Sequence, residues 1–128
     1  MNENMDGRLL ITEYIDAYNS FDVARMIEHL HENIEFRNIS NGTVDTETNG
    51  IEQFRLLAEK SAQMFSQRKQ TITHLQIADH LAELEIDYEG TLAVDLPNGL
   101  KAREVLRLKG RSVYKIIDGK IIMIEDYS

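Results

Sequence analysis

The carboxyl-terminal stretch, residues 112–128, restricts the possible folds more than any other part of the chain. It reads SVYKIIDGKIIMIEDYS, with two apolar runs joined by Asp118 and Gly119. An Asp-Gly pair between apolar runs predicts a tight β-hairpin, because a two-residue turn needs positive φ, which both residues tolerate. Neither face of the second run becomes polar before its end, which predicts a central strand covered on both sides. We therefore expect a sheet with the last strand in its interior.

Asp126 is the most informative polar residue of that strand. Strand alternation puts it on the same face as Ile122 and Ile124. A carboxylate among core residues is costly without a partner or a role, and burial raises its pKa toward the range that suits acid or base catalysis. Asp126 is therefore the first catalytic candidate, with Glu125 in its place if the register is shifted by one residue. The alternative is a structural aspartate that bonds to the backbone or to an arginine.

The remaining pattern predicts two helices, a strand, a long helix and then four strands. The predicted helices run from residue 6 to about 18, from 20 or 22 to 33, and from 49 to about 67; the predicted strands cover 34–39, 70–78, 81–95, 102–117 and 120–127. Residues 40–48 are a hairpin arm or a loop, residues 1–5 are expected to be disordered, and Asn49 with Glu52 resembles a capping box. The order indicates one α+β domain over residues 1–128, with a strongly curved, mostly antiparallel sheet wrapped around a long helix. Such a cone has an internal pocket.

Composition and charge argue against several classes of protein. The formal net charge of −8 disfavours nucleic acid and anionic membrane surfaces as partners. The chain has no cysteine, so neither disulfides nor thiolate chemistry are expected. No apolar run approaches membrane-spanning length, and a cytoplasmic protein is the expectation. His29 and His31 diverge on a helix and no glycine-rich phosphate loop is present, so we expect neither a metal nor a cofactor.

Two strings, YIDAYNSFDVARMIEHLHENIEFRN at residues 14–38 and SVYKIIDGKIIMIEDYS at residues 112–128, carry a family resemblance. The chain resembles the nuclear transport factor 2-like superfamily, in particular its SnoaL-like polyketide cyclase branch. The resemblance covers nearly the whole chain and implies a cystatin-like α+β barrel, a small-molecule pocket and a homodimer formed through the sheet. The superfamily includes cyclases, ketosteroid isomerases, epoxide hydrolases and non-enzymatic modules, so the reaction stays open.

The resemblance implies roles for individual residues. Asp126 matches the aspartate that does acid–base work near the end of the last strand in SnoaL-like cyclases. The segment Phe36-Arg37-Asn38 resembles an aromatic-x-Asn that helps hold the reacting water in the epoxide hydrolases, with Phe in place of Tyr. Their Arg-x-Asp pair is missing, because the comparable inward positions are Leu84, Ile86 and Tyr88. Asn38 also stands where the isomerases have their aspartate base, and an amide cannot shuttle a proton.

Further polar and aromatic residues are predicted to line the pocket. Tyr14 and Tyr18 lie on one helical stripe, although such tyrosines are more often core residues with a solvated tip. His74 alternates with inward residues and Glu104 shares a face with apolar ones, but a structural histidine and an exposed glutamate are the alternatives. The predicted lining residues are Tyr14, Tyr18, Phe36, Phe54, His74, Tyr88, Glu104 and Ile124.

The sequence therefore predicts a protein that binds a small apolar or polyketide-like molecule. Asp126 would transfer the proton, and Asn38 with a tyrosine would position a carbonyl or a water. Equally, Asn38 could satisfy a buried backbone group. The alternative from another class is a non-catalytic ligand-binding or protein-association module of the same fold.

Overall fold

The computed structural model describes residues 3–128, with side chains from residue 7 onward. Within this range the chain forms two helices, the first strand, the long helix and the last four strands in the predicted order, with one further strand before the long helix. The elements are α1 (Glu3–Asn19), α2 (Val23–Glu28), β1 (Leu30–Ser40), β2 (Thr43–Asn49), α3 (Ile51–Gln63), β3 (Phe65–Ala78), β4 (Leu81–Leu92), β5 (Val105–Ile117) and β6 (Lys120–Tyr127). The α+β class is confirmed.

The strands form one sheet in the order β2-β1-β6-β5-β4-β3. All neighbouring strands are antiparallel except β1 and β6, which run parallel. Strand β6 lies between β1 and β5, so the predicted interior position of the last strand is confirmed. The predicted hairpin is also present, because Asp118 and Gly119 take φ values of 51° and 73° between β5 and β6.

The core lies between the helices and the inner face of the sheet. Helix α1 packs on β3, and α3 packs on β1 and β2. On β4 the apolar residues of one face are buried while the acidic residues of the other face are exposed, which is the period of two of a half-covered strand. The largest fully buried side chains are Ile11, Ile34, Leu84, Leu92, Tyr114, Ile121 and Ile124.

Two β-bulges change which residues face inward. One interrupts the pairing of β3 with β4 between Ile72 and His74, and the other interrupts β5 with β6 between Lys115 and Ile116. A bulge adds one residue to one strand and so exchanges the two faces beyond it. Ile121 is fully buried as a result, and the expectation that Ile122 is one of the inward residues of β6 is wrong, since Ile122 is only half-buried.

Several predicted boundaries are wrong. Helix α3 ends at Gln63, and the three residues from Phe65 to Gln67 already belong to β3. Helix α2 ends at Glu28, and Leu30 begins β1. The predicted capping box is absent, because the N-cap of α3 is Gly50, which has no side chain to bond. The backbone N–H of Asn49 instead donates to Gln53 Oε1 at 2.9 Å.

The amino-terminal and 40–48 segments also depart from simple loops. Helix α1 begins at Glu3, within the segment 1–5 for which the sequence predicts disorder, and residues 1 and 2 lie outside the described part. Of the two alternatives for residues 40–48, the hairpin arm is the one observed, as β2. No helix in the described range is long and apolar enough to span a membrane.

Candidate functional site

A cavity of about 480 Å³ lies between the helices and the inner face of the sheet. Its apolar walls come from α1, α2, α3 and the inner sides of β1, β4 and β5, where the chain alternates apolar and polar residues. They include Met26, Phe36, Phe54, Leu57, Ala58, Ile86, Leu106 and Leu108. The polar side chains in the wall include Tyr14, Tyr18, Asn38, Arg68, Tyr88, Ser112 and Asp126. A mostly apolar hollow with a few convergent polar groups is the usual form of a small-molecule site.

Asp126 enters this wall from the end of β6. It is in register with Asn38 on β1 and with Ser112 on β5, so the three side chains meet on the inner face. The Ser112 hydroxyl donates to Asp126 Oδ1 at 2.7 Å. Burial raises the pKa of Asp126 to about 6, and the hydrogen bond from Ser112 opposes part of that rise. A carboxyl group with this pKa can both accept and donate a proton near neutral pH.

Glu125, the alternative to Asp126, lies on the opposite face of β6. Its Oε2 is 3.3 Å from Arg37 Nη1, and its Oε1 accepts a hydrogen bond from the Tyr127 hydroxyl at 3.1 Å. Arg37 also pairs with Glu47 at 2.7 Å. The ion pair with Arg37 lies outside the cavity wall. The strand register therefore places Asp126, and not Glu125, at the site.

Asn38 lines the cavity, but its amide nitrogen is turned to β2. Nδ2 donates to Asp45 at 3.0 and 3.1 Å, and the Ser40 hydroxyl donates to the same carboxylate at 2.9 Å. These hydrogen bonds lower the pKa of Asp45, and the bond from Asn38 has the largest effect. The donors of Asn38 are therefore engaged. Its oxygen is left free to accept a hydrogen bond from a water, but the predicted role of positioning a carbonyl group would need one of the engaged donors.

Five tyrosines line the cavity, and in four of them, all except Tyr127, the hydroxyl is mostly or fully buried. The hydroxyls of Tyr18 and Tyr88 share a hydrogen bond of 3.1 Å, and the rings of Tyr14 and Tyr114 meet edge to face at 6.0 Å. Burial is the first cause that raises the pKa of these four, and the charge of Asp126 raises the pKa of Tyr14, Tyr18 and Tyr114 further. These hydroxyls stay protonated at neutral pH and are able to donate hydrogen bonds to a ligand oxygen.

Arg68, on β3, is a cavity residue that the sequence interpretation missed. Only 5% of it is exposed. Its Nε donates to the Tyr18 carbonyl oxygen at 2.8 Å, and its guanidinium carbon lies 3.7 Å from the centroid of the Tyr18 ring and 4.6 Å from that of Phe21. Strand alternation puts Arg68 on the same face as Gln70 and Ile72. It was missed because the predicted helix ended just before Arg68 and the predicted strand began only at residue 70. Ser112 was missed because its partner depends on the β5–β6 bulge.

Three of the predicted lining residues lie elsewhere. His74 is exposed, because the bulge after Ile72 turns it to the outer face and brings Leu75 inward. Glu104 is exposed in the turn before β5, where it accepts a hydrogen bond from the Lys101 amide at 3.2 Å. Ile124 is buried in the packed core and is not part of the cavity wall. The other five predicted lining residues, with Asn38 and Asp126, do lie in the wall.

The arrangement is suited to proton transfer on an apolar molecule. One carboxyl group with a raised pKa faces the hollow, and tyrosine hydroxyls can hold an oxygen of the ligand. Strand β4 supplies no second acid, because Leu84 and Ile86 are its inward residues. In residues 3–128, wherever side chains are described, no cluster of three or more His, Cys, Asp or Glu residues is arranged to bind a metal ion.

Sequence comparison identifies a family for nearly the whole chain. The model of the SnoaL-like domain matches residues 11–124. No curated protein matches the chain in sequence.

Solved structures with the same fold are numerous and distant in sequence. A candidate polyketide cyclase from Xanthomonas campestris pv. campestris superposes with a TM-score of 0.84 at 16% identity, covering 97% of this chain and 90% of that one. A protein of ketosteroid isomerase-like fold from Catenulispora acidiphila superposes with a TM-score of 0.76 at 14% identity, covering 93% of this chain and 84% of that one. An LEH-like epoxide hydrolase from M. tuberculosis superposes with a TM-score of 0.77 at 13% identity, covering 96% of this chain and 82% of that one. At these identities the likeness establishes the fold alone, and it confirms the nuclear transport factor 2-like, cystatin-like architecture.

Proposed function

This chain belongs to the SnoaL-like domain family, and from that premise we propose that it binds a small apolar or polyketide-like molecule in the cavity and moves a proton on it with Asp126. The observation that carries the proposal is the Asp126 carboxyl group, which faces an apolar hollow and whose pKa burial raises to about 6. A group that titrates near the working pH is an effective acid or base. Cyclisation, isomerisation and epoxide opening all need such a transfer.

The tyrosines support the same reaction class. Aldol-type cyclisation and isomerisation both develop negative charge on a carbonyl oxygen, and a protonated hydroxyl in a low-dielectric site stabilises that charge. Tyr14 and the Tyr18–Tyr88 pair stand in the wall with their hydroxyls protonated. We assign them the positioning of the ligand oxygen. The nitrogen of Asn38 is bonded to Asp45, and its remaining oxygen is an acceptor that can hold only a water or a hydroxyl group.

A second candidate, a non-catalytic ligand-binding module, is favoured by one observation. The only carboxylate among the described residues of the cavity wall is Asp126, and Leu84 and Ile86 take the inward positions of β4. A reaction that requires two carboxyl groups in the pocket therefore lacks the second one. Binding without turnover separates this candidate from the first.

Filling the cavity is expected to abolish ligand binding. Ala58 lies in the cavity wall on α3, so Ala58→Phe places a ring in the space that the ligand would occupy. We expect the affinity for the neutral fluorescent probe N-phenyl-1-naphthylamine to fall at least about tenfold. Leu56→Phe is the matched control, because Leu56 lies on the same helix and is 66% exposed. Equal probe affinity in the two variants, or no binding by the unmodified protein, would contradict the proposal.

We also propose that two copies associate through the outer face of the sheet. That face carries an acidic row on β4 and a basic row on β5, joined within the chain by Glu89–Arg107 at 3.4 Å and Asp87–Lys109 at 3.7 Å. A twofold axis on this face can set each row against the opposite row of the second copy, with complementary charges. Sedimentation at micromolar concentration is expected to give a dimer, and Arg107→Glu with Lys109→Glu is expected to give a monomer. A monomer without the substitutions excludes the dimer.

A further inference from the structure

Arg68 is a buried cation without a carboxylate in contact. The structure gives it no ion pair with any described acidic residue, and its Nη2 atom is buried with no hydrogen-bond partner in the described part of the chain. Its known contacts are a backbone carbonyl and two aromatic ring faces. Burying a charge without an opposite charge costs several kcal/mol, and an unused guanidinium nitrogen adds to that cost.

The location of Arg68 indicates what could offset this cost. The residue lines the same cavity as Asp126. The other cation of the wall, Arg111, is exposed and its guanidinium carbon lies 4.4 Å from the centroid of the Tyr127 ring, and the remaining polar groups are hydroxyls and amides. Stacking on Tyr18 and Phe21, with Nε fixed on the Tyr18 carbonyl, holds the guanidinium plane in one orientation. The two Nη nitrogens remain as a planar fork. That fork matches a carboxylate, which can accept two parallel hydrogen bonds from it.

We propose that Arg68 binds a carboxylate group of the ligand. The ligand class is then an apolar ring system or chain with one carboxylate, seated with the carboxylate at Arg68 and the apolar part in the hollow that Asp126 faces. A doubly charged phosphate fits less well, because one guanidinium would have to neutralise two charges in an apolar wall. The inference rests on the proposed function, since it specifies the molecule that the cavity binds.

The test compares two ligands that share one ring system and differ in charge. The probes are 2-naphthoate and its neutral analogue 2-naphthamide, titrated into the protein by calorimetry at about pH 8, where the acid is fully ionised. We expect the unmodified protein to bind the carboxylate at least about tenfold more tightly than the amide. Arg68→Met is expected to remove that preference and leave the affinity for the amide within about twofold.

Matched variants separate the charge of Arg68 from the charge of the protein as a whole. Arg25→Met removes an equal charge from an exposed position on α2 that does not line the cavity, and is expected to keep the preference. Arg68→Lys keeps the charge without the planar fork and is expected to keep part of it. If Arg68→Met does not fold, the Arg68 Nε–H resonance of the unmodified protein replaces it, since naphthoate should shift that signal and naphthamide should not.

The outcomes distinguish this inference from the proposed function. If N-phenyl-1-naphthylamine binds and naphthoate has no advantage over naphthamide, the assignment of Arg68 is wrong while the apolar site stands. A preference for naphthoate that persists in Arg68→Met also overturns the assignment. If none of the three probes binds, the proposed small-molecule site falls, and the inference with it.

Discussion

Replacing Asp126 with Asn is expected to lower turnover by about a hundredfold or more, because an amide keeps the size of the side chain and cannot accept or release the proton. The Ser112 hydroxyl, which donates to the carboxylate in the unmodified protein, can still donate to the amide oxygen of the variant, so the local packing is retained. The measurement is turnover of a panel of polyketide-like, steroid and epoxide substrates by the unmodified protein, followed by the same assay on the variant with any substrate that reacts. The binding of N-phenyl-1-naphthylamine should be unchanged.

Glu125→Gln is the matched control for this experiment. It makes the same chemical change one residue earlier on β6, at a side chain that pairs with Arg37 at 3.3 Å and does not line the cavity. We expect it to keep turnover within about threefold, since it removes a surface-side charge remote from the ligand. Unchanged turnover in Asp126→Asn, or equal losses in the two variants, would reject Asp126 as the catalytic group. Binding by the unmodified protein without turnover of any substrate would favour the non-catalytic module.

Much of the fold follows from local patterns in the sequence. The Asp118-Gly119 turn, the apolar faces of both flanking runs and the position of Asp126 at the end of the last strand follow from the chemistry of those residues alone. The wrong helix ends have a common cause. Residues such as Leu30 and Phe65 continue an apolar helical stripe, and only pairing with distant strands makes them extended.

The site was harder to predict because it depends on two bulges. Without the bulge at Lys115 and Ile116, the tight hairpin would place Ser112 opposite Glu125, whereas the structure places it opposite Asp126. The bulge after Ile72 turns His74 outward in the same way. A single extra residue exchanges the faces of a strand, and no residue type marks these positions in the sequence. Arg68 was missed for a different reason, since a charged residue at a helix-to-strand boundary is usually solvated.

The stability of the protein is expected to depend on pH through Asp126. The pKa of this group is about 6 in the folded protein, against an ordinary value of 3.8, so the folded state binds more protons than the unfolded state between those values. Stability therefore falls as pH rises from about 4 to about 6, and the cost is fully present above that range. A pKa shift of this size corresponds to at most about 3 kcal/mol of unfolding free energy. Asp126 is not fully shielded from solvent, and solvent screening makes about 1–3 kcal/mol the expected range.

Urea unfolding of the unmodified protein and of Asp126→Asn at a series of pH values isolates this contribution. Both proteins share every other titrating group, so the free energy of unfolding of the variant minus that of the unmodified protein should rise by about 1–3 kcal/mol between pH 4 and pH 7. Ser112→Ala removes the hydrogen bond that favours the ionised carboxyl group, and it should move the same transition to higher pH. A difference that stays constant with pH would mean that Asp126 titrates like a solvated carboxyl group. In that case the group would be fully ionised at neutral pH, and it would act only as a weak base.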